Sequence, residues 1–223
     1  EDTDAAWRLR NVLRPRIQEY GLEELYRRVE IPLIQVLVDM ERQGVRVDTE
    51  ILEEQSRELG EEMKSLEKEI FQSIGREFNL NSPSQLAQIL YDDLKVLEGR
   101  KRSTRADVLE KLADEGVPIA RQILEYRHRQ KIKSTYLDAL PRMVRPDTGR
   151  VHTTYNQSVV NTGRISSNDP NLQNIPIRTD LGRRVRKAFV ASPGCVLISL
   201  DYSQIELRVL AHMSQDPGLL QAF

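Results

Sequence analysis

Apolar residues recur every three or four positions through most of the first 140 residues, the spacing of one buried face of an α-helix. Trp7, Leu9, Val12 and Leu13 mark a helix already under way as the chain opens. Over 22–42, the residues Leu25, Val29, Leu33, Val36, Leu37 and Met40 predict a second helix, with a break or kink at Pro32 and a stop at Gly44. Asp48 or Thr49 then caps a long helix in which Leu59, Met63, Leu66, Ile70 and Ile74 step by threes and fours between charged positions. Such a stripe needs a partner. Another long helix follows Gly116, with Ile119, Ile123, Tyr126, Ile132, Tyr136 and Leu140, and the two predict a helical arm of antiparallel helices. Small elements cluster between them: a turn at 79–83, a short helix from Ser84 to about Leu94, a basic loop at 99–104 and a helix from Arg105 to Asp114.

After Pro141 the period changes. A turn at 146–149 precedes an alternating stretch at 151–157 with strand character, so a domain boundary is expected near 141–148. The segment 161–179 is rich in Asn, Ser, Gly, Pro and Arg and too poor in apolar residues for a regular buried element. It reads as a long loop, ordered or disordered, and loops of that length inside a domain are usually functional. Residues 196–200 read as a buried strand closed by Asp201, before a helix carrying Ile205, Val209 and Met213 on one face.

Composition narrows the class. With 39% hydrophobic and 30% charged residues in 223, the chain can bury a core but carries no apolar run of the length that spans a bilayer. The first four residues are acidic where a secretory signal would be basic, so an intracellular location follows by default. Cys195 is the single cysteine, which excludes an intramolecular disulfide and a cysteine zinc cluster; it reads as a small core residue. The lack of an initial Met and the apolar last residues predict an excerpt of a longer polypeptide.

The formal net charge of −1 conceals a segregation. Residues 1–110 carry 17 basic and 24 acidic groups, residues 111–223 carry 16 and 10, and from Arg127 to Lys187 there are 13 Lys and Arg against 4 Asp. A +9 stretch is the electrostatic footprint of a phosphate-tracking surface, although a solvated charged face has the same composition. The amides, hydroxyls and arginines of 161–179 suit hydrogen bonds to phosphate, sugar and minor-groove acceptors, which favours nucleic acid.

Asp201, at a strand-to-helix junction, either starts the next helix or, with the Tyr202 carbonyl, offers hard oxygens to an ion such as Mg²⁺. Ser203 and Glu206 have the spacing of a capping box. His212 has no second His or Cys at ligand spacing and reads as a packed or surface side chain.

The run from Asp201 to His212 resembles motif A of the family A DNA polymerases, the family of bacterial DNA polymerase I. Upstream, Thr162-Gly163-Arg164 and the run from Asp169 to Pro176 resemble the primer-template segment of that family, and the run from Lys131 to Tyr136 resembles the base of its thumb. The resemblance implies an α+β fold: the end of a 3′–5′ exonuclease-like domain at 1–21, a mostly helical thumb with connecting helices at 22–145, and the first part of an antiparallel-sheet palm at 146–223.

It also implies roles. Asp201 would be a catalytic, metal-binding aspartate, joined by the Tyr202 carbonyl, in a two-Mg²⁺ site completed by residues outside the chain. Tyr202, Gln204 and Glu206 would line the nucleotide site, with Glu206 crowding the 2′ position of the sugar. Lys131, Lys133, Ser134 and Thr135 would grip the duplex backbone; Arg164, Asn171, Gln173 and Asn174 would hold the primer-template, with Arg178 assisting. The implied partners are primer-template DNA and deoxynucleoside triphosphates, for a monomeric cytoplasmic enzyme of the bacterial nucleoid.

In the family's order the nucleotide-binding helix and second catalytic aspartate follow Phe223, so the isolated chain is expected to be inactive. Asp2 resembles the last acidic residue of a proofreading site, and 94–103 is shorter than the usual thumb-tip loop. Two alternatives stand beside a polymerase segment: a non-catalytic DNA-binding remnant, and a single-subunit RNA polymerase type, against which Glu206 argues.

Overall fold

The computed structural model describes residues 2–96 and 102–223. They form two compact units, one ending at Val190 and one from Ala191 to Phe223. In the first, α1 (Asp2–Glu19) buries none of its side chains. Next come α2 (Glu23–Leu25), a π-helical turn (Tyr26–Glu30) and α3 (Ile31–Gln43). The irregularity expected at Pro32 is that π turn: α2, the turn and α3 follow one another without a break, and Pro32 has no N–H to give to the turn before it. Gly44 ends α3 at φ +58°, and a Cβ there would lie 2.7 Å from the Val151 carbonyl oxygen and the His152 ring.

After β1 (Val45–Arg46), Asp48 caps α4 (Thr49–Ile74) by accepting the N–H groups of Glu50 and Ile51 at 3.1 and 3.2 Å. Then follow α5 (Pro83–Ala87), a π turn (Gln88–Asp93), α6 (Ala106–Asp114) and α7 (Pro118–Ile132). The α7 axis runs on through a third π turn (Lys133–Leu137) towards α8 (Leu140–Met143). Of the basic loop, residues 99–101 lie outside the described residues; Arg102 pairs with Asp92.

The predicted stripes of α4 and α7 meet. Leu52, Leu59 and Ile70 from α4 share a core with Ile119, Ile123 and Ile132 from α7, and with Leu109 and Leu112 from α6. Burying each such side chain contributes about 1.5–3 kcal/mol, so this helical seam dominates the cohesion of the unit.

Among the described residues the sheets are small. β2 (Val144–Arg145) and β3 (Arg150–Val151) form a hairpin, and β3 pairs antiparallel with β1, giving the order β1-β3-β2. The register sets Val45 and Val144 opposite Val151, and Arg46 and Arg145 opposite Arg150. Side chains alternate across a strand, so the valines share one face, with Val151 fully buried in the core and Val144 packed against it, and the arginines share the other. The change of texture near 141–148 lies inside this unit, beside the fully buried Leu140. β4 (Thr154–Asn156) pairs with β5 (Ser166–Asn168), and α9 (Asp180–Lys187) leads back to β1, where Val47 bridges Phe189.

The second unit corrects three expectations. Residues 196–200 form no strand: Val196, Ile198 and Leu200 are 78%, 77% and 91% exposed, because no segment of the described chain supplies the neighbour that a strand requires. Cys195, ahead of them, is exposed rather than in a core. The Ser203–Glu206 capping box is not formed: Gln204, at φ +50°, takes the cap position of α10 (Ile205–Ser214) without a side-chain bond. Arg208 instead donates to the Ser203 carbonyl at 3.0 Å and to the Phe223 carbonyl at 2.9 Å, tying the start of α10 to the end of α11 (Pro217–Ala222).

Candidate nucleic-acid interface

The last turn of α7 and the π turn after it carry the four thumb-base candidates. Lys131, Ser134 and Thr135 are exposed. Ser134 folds its hydroxyl back onto the Gln130 carbonyl at 2.8 Å. Lys133 points elsewhere: its ammonium donates to Ser56 Oγ at 2.7 Å and to both Asp138 oxygens at 2.8 and 2.9 Å, and Ser56 donates to Asp138 Oδ1 at 2.5 Å. The structure thus places Lys133 in an internal ion pair. Partial burial pushes the Asp138 carboxyl up, but the hydrogen bonds from Lys133 and Ser56 and the charges of Lys133 and Arg142 prevail and hold it below its usual value.

The loop at 161–179 is ordered by side chains that the sequence did not single out. Thr153 Oγ1 meets Ser167 Oγ at 2.7 Å and donates to the carbonyls of Asn168 and Pro170, both at 2.8 Å; these contacts share one hydroxyl. Ser167, fully buried, accepts the Leu172 N–H at 3.1 Å. This hub folds the loop back beside β4–β5. Asn171 Oδ1 accepts the Gln173 N–H at 3.0 Å, and Gln173 Nε2 donates to the Ile165 carbonyl at 3.0 Å. Both side chains therefore shape the loop while their residues stay exposed.

Two further contacts anchor the loop to helices. Tyr136, in the thumb-base π turn, donates its hydroxyl to the Asn174 carbonyl at 2.6 Å. Burial pushes the Tyr136 phenol up, further from ionisation. Beyond it, Gly182 of α9 packs flush against the loop backbone: a Cβ there would lie 2.3 Å from the Pro176 carbonyl oxygen. Asn174, Arg164 and Arg178 are exposed. The first unit thus brings Lys131, Ser134 and Thr135 into direct connection with the primer-loop candidates through Tyr136. No spacing rule could reveal these roles, since Tyr136 and Thr153 act on segments distant in sequence and Gly182 acts through its fit against a backbone.

The second unit carries the other four candidates. Asp201 and Tyr202 are exposed in irregular backbone, Gln204 is the left-handed residue before α10, and Glu206 stands in its first turn. There a carboxylate faces the positive end of the helix dipole. Asp201 and the Tyr202 carbonyl are oxygen donors of the type a hard cation takes. Yet among the described residues no group of three or more His, Cys, Asp or Glu could hold a metal ion, so the donors present fit one edge of a metal site rather than a whole one. Among the described residues, no helix is long and apolar enough to cross a membrane.

The chain matches known proteins over nearly its whole length. It is 52% identical over 220 residues to a thermostable DNA polymerase I of Thermus caldophilus and 49% identical over 230 residues to the DNA polymerase I of Pseudomonas aeruginosa. These matches cover 96% and 100% of the chain but 26% and 25% of the relatives, so it spans about a quarter of their length. The fold superposes on the POL domain of Pol1 from M. smegmatis, solved in complex with DNA primer-template and dNTP, with a TM-score of 0.87 and 39% identity over 96% of this chain and 38% of that one. The family model for DNA polymerase family A matches residues 49–223, from the head of α4 through α11, and the chain belongs to that family.

Proposed function

We propose that this chain is the thumb and early palm of a DNA-directed DNA polymerase that extends a primer in replication and repair. One observation carries the reading: a thumb-base turn with exposed Lys131, Ser134 and Thr135 is joined by Tyr136 to an ordered loop presenting Arg164, Asn174 and Arg178. Cations and amides on such a surface track phosphate and minor-groove acceptors of a duplex whatever its sequence, as a polymerase requires. The structural relative solved with primer-template and dNTP supports the same assignment.

In this reading Lys131, Ser134 and Thr135 hold the duplex backbone, and Arg164, Asn171, Gln173, Asn174 and Arg178 hold the primer-template. Lys133 shapes the turn from within. Tyr202, Gln204 and Glu206 line the nucleotide site. Asp201, with the Tyr202 carbonyl, would hold Mg²⁺, which when bound polarises phosphoryl oxygens and activates a hydroxyl nucleophile. A lone aspartate does not complete a two-metal site, so the chain by itself is proposed to bind DNA without turnover. The parent enzyme is proposed to act as a monomer in the bacterial cytoplasm, at the nucleoid.

The test is Asp201→Asn in the natural full-length protein. Primer extension should be lost while affinity for primer-template stays within about twofold, because the change removes a charge from the metal site and none from the DNA surface. Extension at the unsubstituted rate would exclude the metal role. Absence of extension in the unsubstituted protein, with DNA binding intact, would favour a non-catalytic DNA-binding module.

A further inference from the structure

The Tyr136 hydroxyl lies at the junction between the thumb-base turn and the primer loop, and the proposed function gives it no role of its own in binding. It belongs to the π turn Lys133–Leu137, is 4% exposed, and packs in the same core as Ile175. Its donor bond falls on the carbonyl of Asn174, the residue just before Ile175. Asn174 has its backbone fixed there while its side chain stays on the surface. On the other side of Ile175, the Pro176 backbone is pressed against Gly182. Residues 174–176 are thus held at three successive points: a hydrogen bond, a buried side chain and a close backbone contact. Of the three, the hydrogen bond is the polar tie between the loop and the turn that presents Ser134 and Thr135, and it falls on the backbone of Asn174 itself.

We infer that Tyr136 is a positioning residue for nucleic-acid binding: by holding the Asn174 carbonyl, it sets the direction of the Asn174 amide relative to the thumb-base turn, so that both meet one duplex. The inference rests on the proposed DNA-binding function and adds a residue that touches no DNA. A rigid tie of this kind raises affinity by removing conformations that would present the two groups out of step. It has a characteristic signature. Losing the hydroxyl should weaken binding without removing any phosphate contact, and should matter only while Asn174 has an amide to orient.

The experiment is a double-mutant cycle on primer-template affinity in the natural full-length protein, with Tyr136→Phe, Asn174→Ala and the pair, each titrated over a range of salt. Tyr136→Phe keeps the ring and its apolar contacts; its urea midpoint is measured alongside. The expected result is an affinity about three- to tenfold weaker for Tyr136→Phe, the scale of one hydrogen bond, with the salt slope unchanged. The double variant should bind no more weakly than Asn174→Ala alone. Placing 4-aminophenylalanine at 136, which restores a donor at that point, should recover the affinity.

Additive losses, unaltered affinity in Tyr136→Phe, or normal binding by Asn174→Ala would each overturn the inference. So would a Tyr136→Phe chain that does not fold, since the hydroxyl would then determine the fold rather than aim a side chain. Lack of duplex binding by the unsubstituted protein would overturn the underlying function as well, and is read from that sample alone.

Discussion

Lys133 and Asp138 stand five residues apart and meet in a two-oxygen ion pair, at 2.8 and 2.9 Å. Residues on a helix face each other at spacings of three and four, not five. The π turn makes the pair possible: the Asp138 N–H reaches the Lys133 carbonyl at 2.9 Å, widening that one turn and bringing the two side chains onto one side. Ser56 of α4 completes the arrangement, so the thumb-base turn is bonded to the long helix it packs on.

The pair makes stability depend on acid. A carboxyl held below its usual value in the folded chain stabilises the fold above its unfolded pKa, and that contribution is lost as pH falls through the lower folded one. Urea midpoints of the unsubstituted protein should therefore drop as pH falls below about 4, and Asp138→Asn should show a shallower drop. Equal acid dependence in the two would mean that Asp138 gains nothing from Lys133.

Salt titrations should separate the two lysines. For Lys131→Ala, DNA affinity should fall and the slope of log K against log salt should become less steep by about 0.9, one phosphate contact. Lys133→Ala should lower the urea midpoint while altering that slope much less, its charge being engaged by Asp138. A slope change of a full phosphate for Lys133→Ala would show that the lysine leaves Asp138 when DNA arrives.

Gly182→Ala should destabilise the first unit by about 1–3 kcal/mol, as overpacking does. The added methyl would fall 2.3 Å from a backbone oxygen and 2.6 Å from Pro176 Cβ, neither of which can swing away as a flexible side chain would. Chemical denaturation measures the cost. An unchanged midpoint would mean that the loop and α9 separate freely.

Glu206→Ala in the natural full-length protein should raise ribonucleotide incorporation relative to deoxynucleotide, read as the ratio of the two kcat/KM values. The change removes the carboxylate assigned to crowd the 2′ position. Unaltered sugar selection would withdraw that assignment and leave Glu206 as a first-turn acid of α10.

The helices were legible because their signal is local: Leu59, Met63 and Ile70 repeat at the helix period and all three are buried in α4. A strand's signal is only half local. Residues 196–200 have the composition of one, yet composition does not supply the paired neighbour that a strand needs, and among the described residues they form no strand. The loop's composition pointed to a functional surface, and its shape was illegible, since Thr153, Tyr136 and Gly182 act through contacts 14 to 38 residues away or through fit against a backbone. Lys133 looked like its neighbour Lys131 in sequence; only the π turn turns it inward.

The valine and arginine faces of the β1-β3-β2 sheet have a further consequence. Strands of two residues are too short to specify their own alignment by hydrogen bonds. Here a slip of one position on any strand would drive an arginine into the core beside Val151 and push a valine into water, the most costly exchange the sheet could make. Alignment is thus enforced by side-chain chemistry, and the segment from Gly44 to Asp48 should reject a one-residue insertion that the exposed Pro146–Thr148 turn, at the other end of the same sheet, would accept.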